Sequence, residues 1–219
     1  VKLYFMMGLP TETDEDLAGI ANLGFTVLTI GDEVRHKKNN FPQPPQVNIS
    51  VSCFVPKPFT AFQFEPQIPM EELRRRQRYL RDLIKNKRVA YNYHDSEVSF
   101  LEAVFAKGDR RLGEVLLKAW EKGCKMDGWS EFFDFDAWME AFEECGIDPK
   151  FYAYRRIAYD ELLPWDHIDC GVRKSFLIKE HEKAMKAKVT PDCRFGICAG
   201  CGICPDRKVK LDLRGGKPG

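Results

Sequence analysis

Two short runs constrain the fold before any motif is considered. Residues 2–7, Lys2-Leu-Tyr-Phe-Met-Met7, are mostly apolar, the pattern of a strand covered on both faces as in parallel sheets. Residues 47–55 alternate, with Val47, Ile49, Val51, Cys53 and Val55 on one face, which predicts a second strand. Between them, Thr13 and Asp16 form a capping-box-like helix start. Leu17, Ile20, Leu23, Val27 and Val34 carry that helix to about residue 37. Gly19, Gly24 and Gly31 weaken it, and a break near Gly24 is expected. Phe41 to Gln46 is a Pro-rich loop. Strand, helix, strand in that order is a right-handed parallel βαβ unit. Its strands end at Gly8-Leu9-Pro10 and at Pro56-Lys57-Pro58-Phe59-Thr60, the C-terminal ends where α/β folds place ligands.

The remainder reads as mostly helical. Met70, Leu73, Leu80 and Ile84 mark one amphipathic helix, and a short strand, Arg88 to Tyr93, follows. Further helices are marked by Val98, Leu101 and Phe105, by Leu112, Val115, Leu116, Ala119 and Trp120, and by Phe135, Trp138, Met139 and Phe142 with Asp134 as N-cap. Arg173 to Lys186 is another, and a basic, Gly-rich tail follows Pro205. With 219 residues, 44% hydrophobic and 12% aromatic, the chain has enough apolar material for a buried core, which excludes a disordered tail. The expected division is 1–69 as an α/β piece, 70–192 as a helical extension, and 193–219 as a cysteine loop with its tail.

Half of the eight cysteines lie in Cys193-Arg-Phe-Gly-Ile-Cys198-Ala-Gly-Cys201-Gly-Ile-Cys204. Spacings of four, two and two residues, with Gly196, Gly200 and Gly202 between, let one loop turn its sulfurs toward a single point. Four thiolates match tetrahedral zinc or an iron–sulfur cluster, and both stay open. No secretory leader and no run of about 18 apolar residues is evident, so a cytoplasmic protein without a membrane partner is expected. There thiols stay reduced, which favours ligands over disulfides. Cys53, Cys124 and Cys145 read as small buried apolar residues.

Other polar groups have plainer meanings. His167, within Asp166-His-Ile-Asp-Cys170, reads as a structural histidine, and His181 as a solvated one on a charged helix. Residues 71–88 hold eight Lys/Arg and three Asp/Glu, a run whose commoner meaning is a charged solvent face and whose alternative is a track for a phosphate backbone. Residues 126–148 hold eight Asp/Glu and no Lys/Arg, an internal partner for that face.

The run from Val1 to Leu17, with Met7-Gly-Leu-Pro-Thr-Glu-Thr13 at its centre, resembles a late barrel strand of radical S-adenosylmethionine (radical SAM) enzymes. Val51-Ser-Cys-Phe-Val-Pro-Lys-Pro-Phe-Thr60 resembles their last strand. Phe100 to Gly113, Asp127 to Asp136, Leu163-Pro-Trp-Asp-His-Ile-Asp-Cys-Gly-Val172 and the four-cysteine loop together resemble the end of one family: radical SAM proteins with an N-terminal cobalamin-binding-type domain.

The resemblance implies the last strands of a partial (β/α) barrel followed by a helical, cysteine-rich extension. It places Gly8, Pro10 and Glu12 on the S-adenosylmethionine side of the barrel mouth, and Phe54, Val55 and Pro56 near the adenine. Thr11 stands where relatives carry a second glycine. The family's Cys-x3-Cys-x2-Cys motif, which holds its [4Fe–4S] cluster, does not occur here. Nor does the cobalamin-type domain, so the chain, which opens at Val1, reads as the C-terminal fragment of a larger enzyme. Its partners would be the missing N-terminal part of the same chain, which would bring any cobalamin, and an RNA or protein substrate. A non-catalytic, metal-stapled binding module is the alternative.

Overall fold

The computed structural model describes residues 1–38, 43–195 and 197–208. Part of the Pro-rich loop, Gly196 and most of the basic tail lie outside the described residues. The chain divides into two compact units, Val1–Val55 with Pro66–Arg155, and Pro56–Glu65 with Arg156–Gly219. These cuts differ from the expected ones because β3 belongs to the same sheet as the opening strands.

The first unit is built on a parallel three-stranded sheet in the order β1 (Lys2–Met7), β2 (Val47–Cys53), β3 (Val89–Tyr93). The crossovers carry α1 (Asp14–Lys38) and α2 (Met70–Leu83). The expected capping box forms: Thr13 N–H donates to Asp16 Oδ2 at 2.9 Å, and Asp16 N–H donates to Thr13 Oγ1 at 3.3 Å.

No break occurs at Gly24. A Cβ there would lie 2.7 Å from Ile49 Cδ1, so the glycine lets the helix approach β2 instead of interrupting it. Leu17, Ile20, Ala21 and Leu28 of α1 and Leu80 of α2 bury one face of the sheet, against Met7, Val47, Ile49, Val51 and Val89. Full burial of side chains such as Leu17 and Ile49 stabilises by roughly 1.5–3 kcal/mol each.

β1 is covered on one face only, which corrects the expectation of two. Leu3, Phe5 and Met7 turn toward the helices, whereas Tyr4 is 74% and Met6 45% exposed. The open face is polar: Lys2, Tyr4, Asn48, Ser50 and Asn92 line a shallow depression of about 150 Å³, and Asn92 Nδ2 donates to Asn48 Oδ1 at 2.8 Å.

Among the described residues α1 alone is long and apolar enough to cross a membrane, by length and composition. An unbroken apolar run was not evident in the sequence because glycines, threonines and an asparagine interrupt it. In the fold one stripe of this helix is core.

Beyond β3 the same unit continues through α3 (Ser96–Ala106), α4 (Leu112–Glu121), α5 (Phe135–Glu144) and α6 (Pro149–Tyr154). Phe100, Val104, Val115, Trp138, Phe142 and Tyr152 form their core. Asp134 caps α5 as expected, accepting from Ala137 N–H at 3.0 Å. The second unit holds a 3₁₀ turn at Ala61–Phe64, α7 (Lys174–Ala184) and the short α8 (Ile203–Arg207), around Phe64, Ile157, Leu163, Trp165 and Leu177.

The basic helix finds its partners elsewhere than in residues 126–148. Arg74 pairs with Glu97, Arg75 with Asp14 and Glu72, and Arg76 with Glu72 and Glu12. Glu140 and Glu144 of the acidic stretch instead hold Lys122, at 2.9 and 2.8 Å.

Hydrogen bonds from Arg75 and then Arg76 hold the Glu72 carboxyl down to about 2, from an ordinary value of 4.5. A depressed carboxylate stabilises the fold above its unfolded value and loses that contribution as pH falls through the folded one. Urea unfolding should therefore show the Glu72→Gln variant less stable than the native chain near neutrality. The gap should close as pH falls from about 4.5 toward about 2. A gap independent of pH across this window would rule the linkage out.

Candidate functional site

Gly8, Pro10 and Glu12 follow the C-terminal end of β1, and Phe54 and Val55 follow that of β2. Met7 and Cys53 are register partners, so Gly8 and Phe54 leave adjacent strands side by side. Phe54 N–H donates to Met7 C=O at 2.7 Å. Phe54 C=O accepts from Gln67 Nε2 at 3.2 Å, and the same Nε2 donates to Ser99 C=O at 3.1 Å. Both Phe54 backbone groups are thus engaged within the fold. Phe54 and Val55 are buried, and Pro56, which opens the second unit, is buried too.

Glu12 closes the turn instead of pointing outward. Its Oε2 accepts from Gly8 N–H at 2.8 Å and from Arg76 Nη1 at 2.5 Å, and both charged side chains are largely buried. A buried, paired carboxylate of this kind fixes a loop. Pro10 is half-buried in the same turn.

Thr11 sits at φ 69°, the left-handed region that glycine tolerates and β-branched residues resist. Thr11→Gly should stabilise the fold by roughly 0.5–1 kcal/mol, the relief of left-handed strain less the added unfolded-state entropy. A lower thermal midpoint for the variant would show that the Thr11 side chain earns its place by another interaction.

The four-cysteine loop is the second candidate. Cys193, Cys201 and Cys204 are partly exposed and Cys198 is exposed. Gly200 N–H donates to Cys198 Sγ at 3.4 Å, an amide-to-sulfur bond of the kind that tunes thiolate sites. Burial, and then the charges of Cys201, Cys198 and Cys193, push the Cys204 thiol up. Among the described residues no group of three or more His, Cys, Asp or Glu side chains is drawn together closely enough to hold a metal ion. The donor set fits a thiophilic metal; its spacing is looser than ligand geometry.

Of the remaining candidates, Cys53 and Cys124 are buried and Cys145 packs against the helical core, as expected of small apolar residues. His167 is exposed, contrary to the satisfied structural role read from its sequence. Asp166 and Cys170 border a cleft of about 290 Å³ walled by Phe59, Gln63, Trp165 and Lys174. Gln63 Oε1 accepts from Trp165 Nε1 at 2.9 Å and from Phe59 N–H at 3.0 Å, and Phe59 holds a left-handed φ of 60°.

His181 is the larger correction. It is 4% exposed, with Nε2 at 2.8 Å from Glu65 Oε1 and Nδ1 at 2.5 Å from the Tyr159 hydroxyl. Glu65, 3% exposed, also accepts from Arg156 Nη2 at 2.8 Å. One tautomer satisfies the whole chain of groups: the tyrosine O–H donates to Nδ1 and Nε2–H donates to Glu65. Leu177, one turn before His181, marked this face as buried, but the flanking Lys and Glu residues masked the stripe. Glu65 was overlooked altogether, although it closes an aromatic run, Phe59 to Phe64, where an acid is out of place.

His181→Ala should cost roughly 2–4 kcal/mol, because it removes one hydrogen-bond partner from the buried Glu65 carboxylate and one from the Tyr159 hydroxyl, while His167→Ala should stay within about 0.5 kcal/mol. Denaturant midpoints of the two variants compare them directly; equal midpoints would refute the buried network.

No family model matches the chain. No solved structure matches it either. An uncharacterized protein of Methanocaldococcus jannaschii is 27% identical over 147 residues, which cover 67% of this chain and 30% of that protein. The match therefore spans less than a third of the relative's length.

Proposed function

We propose that this chain is the C-terminal part of a radical SAM enzyme, supplying the last strands of its partial barrel and an auxiliary thiolate metal site. The observation that carries the proposal is the one-sided sheet. Parallel strands are ordinarily covered on both faces. Here helices cover one face, while the other is open, polar and lined by Lys2, Tyr4, Asn48, Ser50 and Asn92. A layer of helices on one face of parallel strands, with the other face bare of helices, is the arrangement of a segment of α/β barrel wall. Among the described residues β1 pairs with β2 alone, so its other edge is available to a preceding strand.

When bound, the family's cluster and S-adenosylmethionine would supply one-electron cleavage of the sulfonium and hydrogen abstraction from substrate. The cluster would be held by the Cys-x3-Cys-x2-Cys motif, which lies outside these 219 residues. Cobalamin, if used, would also be held elsewhere. This chain's part is to close the barrel mouth. The turn from Gly8 to Glu12, locked by Arg76, and the end of β2 at Phe54 and Val55 would shape the wall beside the nucleoside. Since the backbone of Phe54 is already engaged, apolar packing is the contribution to expect from it.

Cys193, Cys198, Cys201 and Cys204 would hold the second metal. A closed four-thiolate zinc would staple the second unit, and an iron–sulfur cluster would add an electron-transfer site.

The test is anaerobic purification of this chain, and of a longer one containing an upstream Cys-x3-Cys-x2-Cys, with iron, sulfide and zinc analysis. Near-stoichiometric metal should accompany the short chain and be lost in a Cys198→Ser, Cys204→Ser variant. With reductant, only the longer chain should release 5′-deoxyadenosine. Turnover by the 219 residues alone would overturn the assignment, and absence of both metals would overturn the thiolate site.

A further inference from the structure

The cysteine loop does not stand alone in the second unit. The segment Asp169-Cys-Gly-Val-Arg173 is joined to the loop and to α8 by a reciprocal set of bonds. Arg173 forks onto Asp206, Nε to Oδ2 at 2.9 Å and Nη2 to Oδ1 at 2.6 Å. In the opposite sense, Arg207 Nη2 meets Asp169 Oδ2 at 2.6 Å and Asp169 C=O at 3.2 Å. Between the two ion pairs, Arg173 N–H donates to Cys201 C=O at 2.9 Å. Each segment thus contributes one arginine and one aspartate, and each arginine crosses to the other side.

Two glycines make the crossing sterically allowed. Gly202 stands at φ 104° and Gly171 at φ 85°. A Cβ on Gly202 would lie 2.7 Å from Arg173 Cγ, and one on Gly171 would lie 3.1 Å from Arg207 Nε. Each guanidinium arm therefore lies across a glycine of the opposing segment. Gly202 is buried under its arginine, although Arg173 and Asp206 are themselves about half exposed. Exposed ion pairs are worth little singly. Two pairs and a backbone bond that share the same two segments act together, because forming one removes most of the ordering cost of the next.

The clasp acts on one half of the thiolate set. Cys201 is pinned through its carbonyl, and Cys204 follows within the helical turn of α8. The other arm is outward: Cys198 is exposed, and Phe195 and Ile197 beside it are 78% and 93% exposed.

We propose that Asp169, Arg173, Asp206 and Arg207 are positioning residues of the thiolate site, holding Cys201 and Cys204 as a preset half onto which Cys193 and Cys198 close when metal is captured. The proposal rests on the reading of the four cysteines as ligands. Groups that orient metal ligands change affinity by about 10- to 100-fold when removed.

Two measurements test it. In the reduced, metal-free chain, iodoacetamide labelling resolved by peptide mass spectrometry should modify Cys198 faster than Cys201 and Cys204. Arg173→Asp should accelerate labelling of Cys201 and Cys204 several-fold and leave Cys198 unchanged. The charge-swapped double variant, Arg173→Asp with Asp206→Arg, should restore the native pattern. Cobalt(II) titration, followed by the thiolate-to-metal absorption band, should show affinity about tenfold weaker in Arg173→Asp and recovered in the double variant. Gly202→Ala, which displaces the Arg173 arm without altering charge, should reproduce the loss.

Unchanged labelling in Arg173→Asp would overturn the clasp while leaving the ligand reading intact. Altered labelling with unchanged cobalt affinity would overturn its positioning role. A native chain that binds no cobalt would sink the ligand reading, and this proposal with it, whatever the labelling shows.

Discussion

The first unit depends on one apolar contact plane, the face where α1 and α2 lie on three parallel strands. Everything at the candidate mouth is hung from it. Because Ile49 and Val51 are fully buried under α1, the register of β2 against β1 cannot slip by one residue without turning the polar face inward. That fixed register is what sets Gly8 beside Phe54. Gly24 contributes by letting the helix axis come close to Ile49, so the layer is thin at its centre. The Glu12–Arg76–Glu72 chain then ties the loop after β1 to α2, converting a packing arrangement into a defined turn.

The second unit solves a different problem. Its apolar cluster is small, and its interior includes polar side chains. Glu65 and His181 are buried there because each completes the other's hydrogen bonding, with Tyr159 and Arg156 at the two ends. A network of this kind specifies geometry more than it adds stability. It fixes the 3₁₀ turn and α7 in relation to each other, and α7 begins where the clasp residue Arg173 ends the preceding loop.

Much of this was legible in the sequence where pattern and period coincide. The alternation from Val47 to Cys53 translated directly into a buried face, and Thr13 with Asp16 and Asp134 with Ala137 capped their helices as residue types require. The uncovered face of β1 was not legible, because Tyr4 and Met6 count as apolar whether or not anything packs on them. The partners of the α2 arginines were not legible either, since Asp14 and Glu12 lie more than sixty residues away in sequence. His181 was misread because a single buried imidazole interrupts neither charge pattern nor helix propensity. For the thiolate loop, spacing announced the chemistry, but neither the clasp nor its glycines could be inferred without knowing that Asp169 and Arg207 meet.

The free edge of β1 has a consequence for how such a polypeptide behaves in solution. Among the described residues β1 pairs through one edge, and its other edge, flanked by an exposed tyrosine and methionine, is a template for any extended backbone of matching register. Paired with a further strand, such an edge disappears into a continuous hydrogen-bonded sheet. Left bare, it offers the same geometry to another molecule, and self-association through strand addition becomes the competing route. The feature that would admit a further strand is also the one that makes the sheet adhesive while that edge stays bare.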